Sequence, residues 1–207
     1  MTDPVRIAVV YYSATGNVHR LAEAIADGAA DAGGEVRLRR VAELAPAAVI
    51  EANPAWRAHL DATAQIAPAV LADLTWADGL AFGSPTRFGN VSAQLKQFLD
   101  TTSELWLAGR LMHKPVTGFV GSMAPHGGQE STLLALYHTM IHWGSVIVPS
   151  RIDDELAQAA GANPYGISQV ESQAGDLAYV EAVRKTARRQ GRRLVETARV
   201  LGALRAA

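Results

Sequence analysis

Ser13, Thr15, Gly16 and Asn17 fall within five residues, at the point where an apolar run stops and a helical pattern starts. Two hydroxyls, a residue free to adopt left-handed backbone angles and a polar amide in so short a span suit the capture of an anion. In Ser13-Ala14-Thr15-Gly16-Asn17-Val18 the glycine lets the main chain approach a ligand closely. The free N–H groups of the next helix, together with its dipole, favour a phosphate. The same residues also fit an ordinary strand-to-helix turn with an N-cap, so the surroundings must decide.

The elements that have to position this loop are legible on both sides of it. Ile7 to Tyr11 is an apolar run with strand character, and Val18, Leu21, Ala22, Ile25 and Ala29 recur at helical spacing. The grammar repeats at Leu80, Ala81 and Phe82, which lead into Gly83-Ser84-Pro85-Thr86-Arg87-Phe88-Gly89-Asn90 and a helix with Val91, Leu95, Phe98 and Leu99 on one face. A third unit runs from Val116 through Ser122-Met123-Ala124-Pro125-His126-Gly127-Gly128-Gln129-Glu130 to a helix reaching His142 and the strand-like Val146 to Val148. Strands alternating with helices predict a parallel sheet covered on both faces, whose ligands sit beyond the carboxyl ends of the strands. All three loops should converge on one crevice.

Glu35 to Val41 reads as the second strand. The last helix reads as Asp176 to Leu204, with Leu177, Val180, Val183, Ala187, Leu194, Ala198 and Leu201 inward. Arg184, Arg188 and Arg192 recur at intervals of four along it, as do Lys185, Arg189 and Arg193, a stripe read as a solvated face. Two segments stand apart. Ala42 to Ala69, with Pro46, Pro54, Pro68 and Trp56, reads as a long connection, and Arg151 to Gly175 as a second. Loops of that length are functional, interfacial or disordered.

Composition bounds the answer. A chain of 207 residues, 49% of them hydrophobic, suits one α/β domain spanning residues 1–207. Lys plus Arg number 19 against 20 Asp plus Glu, so no overall field draws the protein to nucleic acid or an anionic membrane. No stretch approaches the roughly 20 apolar residues of a membrane span, so no membrane insertion and a cytoplasmic location are expected. The absence of cysteine removes disulfides, thiolate catalysis and iron–sulfur ligation, leaving any redox chemistry to a bound cofactor. His138 and His142 are four apart, but without cysteine or an intervening HExxH glutamate no metal site is expected.

In combination, Ser13-Ala14-Thr15-Gly16-Asn17, Gly83 to Asn90, His126-Gly127-Gly128-Gln129-Glu130 and His142-Trp143-Gly144 resemble the WrbA-type NAD(P)H:quinone oxidoreductases, flavodoxin-like proteins that bind FMN. The resemblance runs from about Arg6 to Pro149 and resumes at Asn163-Pro164-Tyr165-Gly166. It implies a flavodoxin-like three-layer sandwich, a five-stranded parallel sheet with helices on both faces. It also implies two-electron reduction of quinones with NADH or NADPH as co-substrate, in a homotetramer built as a dimer of dimers with the long segments at its interfaces.

The site residues follow from the resemblance. Ser13, Ala14, Thr15, Gly16, Asn17 and Val18 would hold the FMN phosphate, while Pro85, Thr86, Arg87, Phe88, Gly89 and Asn90 would lie along the flavin. Ser122, Met123, Ala124, Pro125, His126 and Gly127 would complete the cofactor site, with His142 beside it. Thr15, Phe88 and Trp106 would meet the substrate, and His142 and Trp106 would carry catalysis, His142 as a proton source for a quinone oxygen. Residue type alone leaves alternatives: a surface ion pair for Arg87, core packing for Phe88, a packing anchor for Trp106 and a helix-terminal role for His142.

Two positions depart from the family pattern. His126 stands where the family has a small residue and Trp143 where a second histidine is common, whereas Val18, where true flavodoxins often carry threonine, fits the quinone reductases better than the small electron carriers. Two rivals use the same cradle. A flavodoxin-type one-electron carrier is usually strongly acidic, unlike this chain, and a non-enzymatic FMN-binding or scaffold protein would oxidise no nicotinamide.

Overall fold

The computed structural model describes residues 3–205. Strand β1 (Arg6–Tyr11) lies inside the sheet, with Ile7 to Tyr11 all buried, as its unbroken apolar run requires. The chain continues through α1 (Asn17–Asp31) to β2 (Glu35–Arg40), then α2 (Ala47–Glu51), α3 (Pro54–Ala62) and α4 (Leu71–Trp76). Next come β3 (Gly79–Pro85), α5 (Ala93–Asp100), α6 (Ser103–Leu107), β4 (Pro115–Ser122) and α7 (Gln129–His142). The last elements are β5 (Val146–Ile147), α8 (Glu155–Ala159), β6 (Ile167–Val170) and α9 (Leu177–Arg205).

The strands are all parallel in the order β2-β1-β3-β4-β5, with β6 also on β4. Successive residues of β1 face opposite layers. Ile7, Val9 and Tyr11 pack with α1 and α9, and Ala8, Val10 and Tyr12 with Leu74 of α4, Leu95 of α5 and Leu136 of α7. On the first face two glycines let helices meet backbone to backbone. A Cβ on Gly28 would fall 1.9 Å from Arg188 O, and one on Gly191 would fall 2.0 Å from Ile25 O.

The fold is the expected three-layer arrangement, with one refinement at its edge. Among the described residues, five strand positions are filled by six strands, because the fifth is shared. β5 pairs with Pro115 and Val116, and β6 pairs with Phe119 to Ser122 farther along β4. Arg151 to Gly175 is therefore not simply a connection: it holds α8 and β6. Ile167-Ser168-Gln169-Val170 is too short and mixed to announce a strand, and its pairing partner lies some fifty residues away.

The segment from Ala42 to Ala69 is likewise structured, by α2 and α3. Asn53 Oδ1 accepts the Trp56 N–H at 3.2 Å and Pro54 opens α3, an N-cap and N1 pair visible in the sequence. Leu177 corrects the inward face of the last helix: it sits at the first turn, beyond the sheet, and is 78% exposed. The basic stripe is partly structural. Arg188 reaches Asp27 at 2.6 Å and Asp31 at 2.5 Å on α1, and Arg189 pairs with Asp154.

Candidate active site

A crevice of about 720 Å³ opens at the carboxyl ends of β1 and β3, where the strand order reverses. Three loops line it, through Ser13, Ala14, Thr15, Asn17 and Val18, then Pro85 to Phe88, then Gly121 to Ala124 and Gly127. Asn53, Ala55 and Trp56 of the α3 region and Glu171 complete the wall.

The first loop is shaped as an anion cradle. Gly16 is left-handed (φ +97°) and donates its N–H to Ser13 Oγ at 3.1 Å, leaving the Ser13 hydroxyl hydrogen free to point elsewhere. No side chain caps α1, so the amides at its start remain available. Gly121 closes the approach from β4, since a Cβ there would lie 3.1 Å from Asn17 Nδ2 and Val18 Cγ2.

The second and third loops are tied together. Arg87 and Asn90 exchange backbone hydrogen bonds of 2.8 and 3.0 Å around Phe88 and Gly89, whose φ values of +52° and +75° make a tight turn. That turn holds the Phe88 ring fully in solvent at the crevice rim. The Thr86 hydroxyl donates to Gly127 O at 3.1 Å, and the Gln129 amide donates to Ala124 O and Pro125 O at 3.1 and 3.0 Å.

A residue outside all three loops fixes the remaining wall. Glu43 accepts from Tyr12 Oη at 2.9 Å, Trp56 Nε1 at 3.0 Å, Gln94 Nε2 at 2.8 Å and the N–H groups of Leu44 and Ala45. Burial alone would push its carboxyl up, but these donors outweigh burial and hold it below the usual carboxylate range. One carboxylate thus anchors α3, α5 and the end of β1. Sequence pattern offers no sign of it, since a glutamate in a proline-containing connection looks solvated.

Other expected site residues do not line the crevice. Gly89, Asn90, Pro125 and His126 belong to the site loops without lining the crevice, and His126 is exposed. His142 ends α7, which starts beside Gly89 and runs 14 residues, about 20 Å, toward the opposite edge of the sheet. There Gly144 O accepts from His113 N–H just before β4. Trp106, on α6, is 46% exposed, and its carbonyl accepts from Gly109 N–H in the turn that leads to Met112, which packs against Gly144 at this same edge.

The model of the family described as NADPH-dependent FMN reductase matches residues 5–152. The chain belongs to that family. An NAD(P)H dehydrogenase (quinone) of Deinococcus radiodurans is 42% identical over 203 residues, covering 98% of this chain and all of the relative. A protein of the same description from Geotalea uraniireducens is 39% identical over 198 residues, 93% of this chain and 97% of the relative. Among solved structures, a flavodoxin, WrbA-like protein from Agrobacterium tumefaciens superposes with a TM-score of 0.64 at 27% identity, covering 94% of this chain and 98% of that one. A flavodoxin from the domain Archaea has a TM-score of 0.59 at 17% identity, covering 94% and 99%, and shares the fold.

The residues present fit FMN. The crevice lies within the roughly 300–1,000 Å³ of small-molecule sites, and its cradle offers hydroxyls, an uncapped helix start and a left-handed glycine to a single phosphate.

Proposed function

We propose that this protein is an FMN-dependent NAD(P)H:quinone oxidoreductase that reduces quinones by two electrons. The observation that carries the reading is the convergence of three loops on one crevice, the first of them suited to a single phosphate. Bound FMN supplies the redox chemistry between nicotinamide and quinone, which no side chain of this chain can perform.

The protein's part is to bind, orient and supply charge. Ser13, Thr15, Gly16, Asn17 and Val18 hold the phosphate, and Pro85 to Asn90 with Ser122 to Gly127 frame the ring. Arg87 is exposed and, among the described residues, pairs with no carboxylate, so its guanidinium is available to negative charge at the rim. Thr15 and Phe88 border the opening where a flat substrate enters.

Trp106 and His142 join this site through assembly. Trp106 shares its edge of the subunit with exposed Leu107, Met112 and Ile141, an apolar surface of the kind subunits cover. In a homotetramer, a dimer of dimers of single-domain chains, this surface of one subunit faces the crevice of another. Trp106 then supplies an aromatic wall opposite the ring, and His142 holds a proton for the quinone oxygen. A cytoplasmic location supplies the reduced nicotinamide.

The test is direct. The purified protein, loaded with FMN, should oxidise NADH or NADPH only when a benzoquinone is present, with one hydroquinone formed per nicotinamide. Flavin binding without nicotinamide oxidation would overturn the reading in favour of a one-electron carrier or a non-enzymatic FMN-binding protein.

A further inference from the structure

Behind the phosphate loop stands a second group of side chains that the quinone reaction leaves unused. Helix α3 lies across the start of α1, so that an added Cβ on Gly16 would fall 3.4 Å from His59 Nδ1 and 3.5 Å from Arg20 Nη1. An imidazole and a guanidinium therefore flank the cradle glycine from two different helices. The His59 ring is 5.3 Å from that of His19, which is 5.3 Å from that of Tyr11. His19 Nδ1 and the Tyr11 hydroxyl are buried and accept or donate no hydrogen bond among the described residues.

We propose that His59 and Arg20 extend the cradle into a proton-linked site for a phosphomonoester dianion, the imidazole taking up one proton from solvent as the phosphate arrives. The proposal rests on the FMN reading above, with FMN as that phosphomonoester.

The groups around His59 set the sign of the effect. From α1 it meets Arg20 and His19, and Glu23 is already engaged with His19 Nε2 at 3.2 Å. From β1 and β2, Tyr11, Tyr12 and Arg40 border the same small space, where Arg40 Nε donates to Ile66 O at 3.0 Å. Glu43 also borders it but is filled by its own donors, and Asp61, on α3 itself, is paired with Arg57. Among the described residues, no carboxylate is left over to hold a proton on His59. Burial, then the neighbouring His19 and Arg20, depress its pKa to about 4.

A dianion beside Gly16 reverses the local field and favours the imidazolium. A group whose pKa is raised by a ligand strengthens that ligand's binding as pH falls from the bound-state pKa toward the free-state one, tenfold for each unit between them. The cradle alone offers amides and hydroxyls, whose strength does not change over this range. The proton-linked increment must come from His59 with its neighbours.

Flavin fluorescence quenching on the whole protein, from pH 8.5 to 5.5, tests this with FMN and with riboflavin, which lacks the phosphate. His59→Gln subtracts the phosphate's own titration near pH 6. Wild type should gain about tenfold in FMN affinity over His59→Gln across that range, while riboflavin binds both alike. His59→Lys should bind FMN tightly without the pH-dependent gain, and Arg20→Gln should weaken FMN at every pH. Calorimetry in two buffers of different ionisation heat should show extra proton uptake in wild type. Matching FMN curves for wild type and His59→Gln overturn this inference alone. Failure of the wild type to bind any flavin overturns the FMN reading with it.

Discussion

The hydroxyls of Thr86 and Thr132 lie 2.8 Å apart, with Thr132 the donor and Thr86 passing its own hydrogen to Gly127 O. This single contact joins the loop after β3 to the first turn of α7, so two walls of the crevice share one hydrogen-bonded seam. Thr132 is fully buried and its hydroxyl also reaches Gly128 O at 2.7 Å. Thr132→Val keeps the shape and removes the donor. It should cost about 1–2 kcal/mol of stability and weaken FMN binding severalfold, read by thermal melting and flavin titration on the same preparation. Unaltered FMN affinity would separate the seam from the site.

Much of this arrangement is legible in the chain. The three apolar runs each broken by small polar residues place the loops, because strand, turn and helix periods differ locally. The divided fifth strand is not legible, since β6 is defined by its pairing with β4 and not by its own pattern. The role of Glu43 escapes for the same reason: its donors come from β1, α3 and α5, far apart in sequence. The residues of the cradle are adjacent in the chain and so can be read together. Trp106 and His142 are recognisable as residues, but their position at the far edge of the sheet appears only once the helices are laid on it.

Gly28 and Gly191 carry a prediction about the scaffold. Both lie inside helices, where glycine is unfavourable by about 1 kcal/mol relative to alanine, and both are occupied by a backbone carbonyl of the facing helix. Propensity favours the alanines and packing opposes them. The clash, at 1.9 and 2.0 Å from main-chain oxygens that cannot swing away, decides the sign. Gly28→Ala and Gly191→Ala should each lose about 2–4 kcal/mol in urea unfolding. A gain in stability from either would mean that α1 and α9 separate at little cost.

Glu43 makes stability depend on pH. Its carboxyl is held below the ordinary value in the folded state, so its contribution is present above the unfolded pKa near 4.5 and is lost as pH falls through the folded one. Glu43→Gln replaces an acceptor of several donors by an amide with one oxygen. It should destabilise the protein by about 2–3 kcal/mol at pH 7 and shrink the wild-type advantage below pH 4. Trp56 fluorescence should shift as α3 loosens, and FMN release should quicken. An equal difference between variant and wild type at pH 7 and pH 3.5 would show that the charge of Glu43 does not matter.

Trp106 decides whether the site is completed by assembly. Within one subunit it sits at the edge away from the cradle, so Trp106→Ala should leave FMN affinity near that of wild type. If the tryptophan of one subunit walls the crevice of another, the same substitution should lower kcat/KM for quinones about ten- to a hundredfold through lost positioning. Gly16→Val has the opposite defect. A branched side chain at φ +97° strains the cradle and abolishes phosphate binding while leaving Trp106 in place. The Gly16→Val protein should be inactive and the Trp106→Ala protein weak, yet a co-expressed mixture should contain crevices with an intact cradle from one parent and an intact tryptophan from the other. Quinone reduction per bound FMN in that mixture should rise well above the Trp106→Ala level. A mixture no more active per FMN than Trp106→Ala alone would place the tryptophan's action within its own subunit, or remove it from the substrate slot.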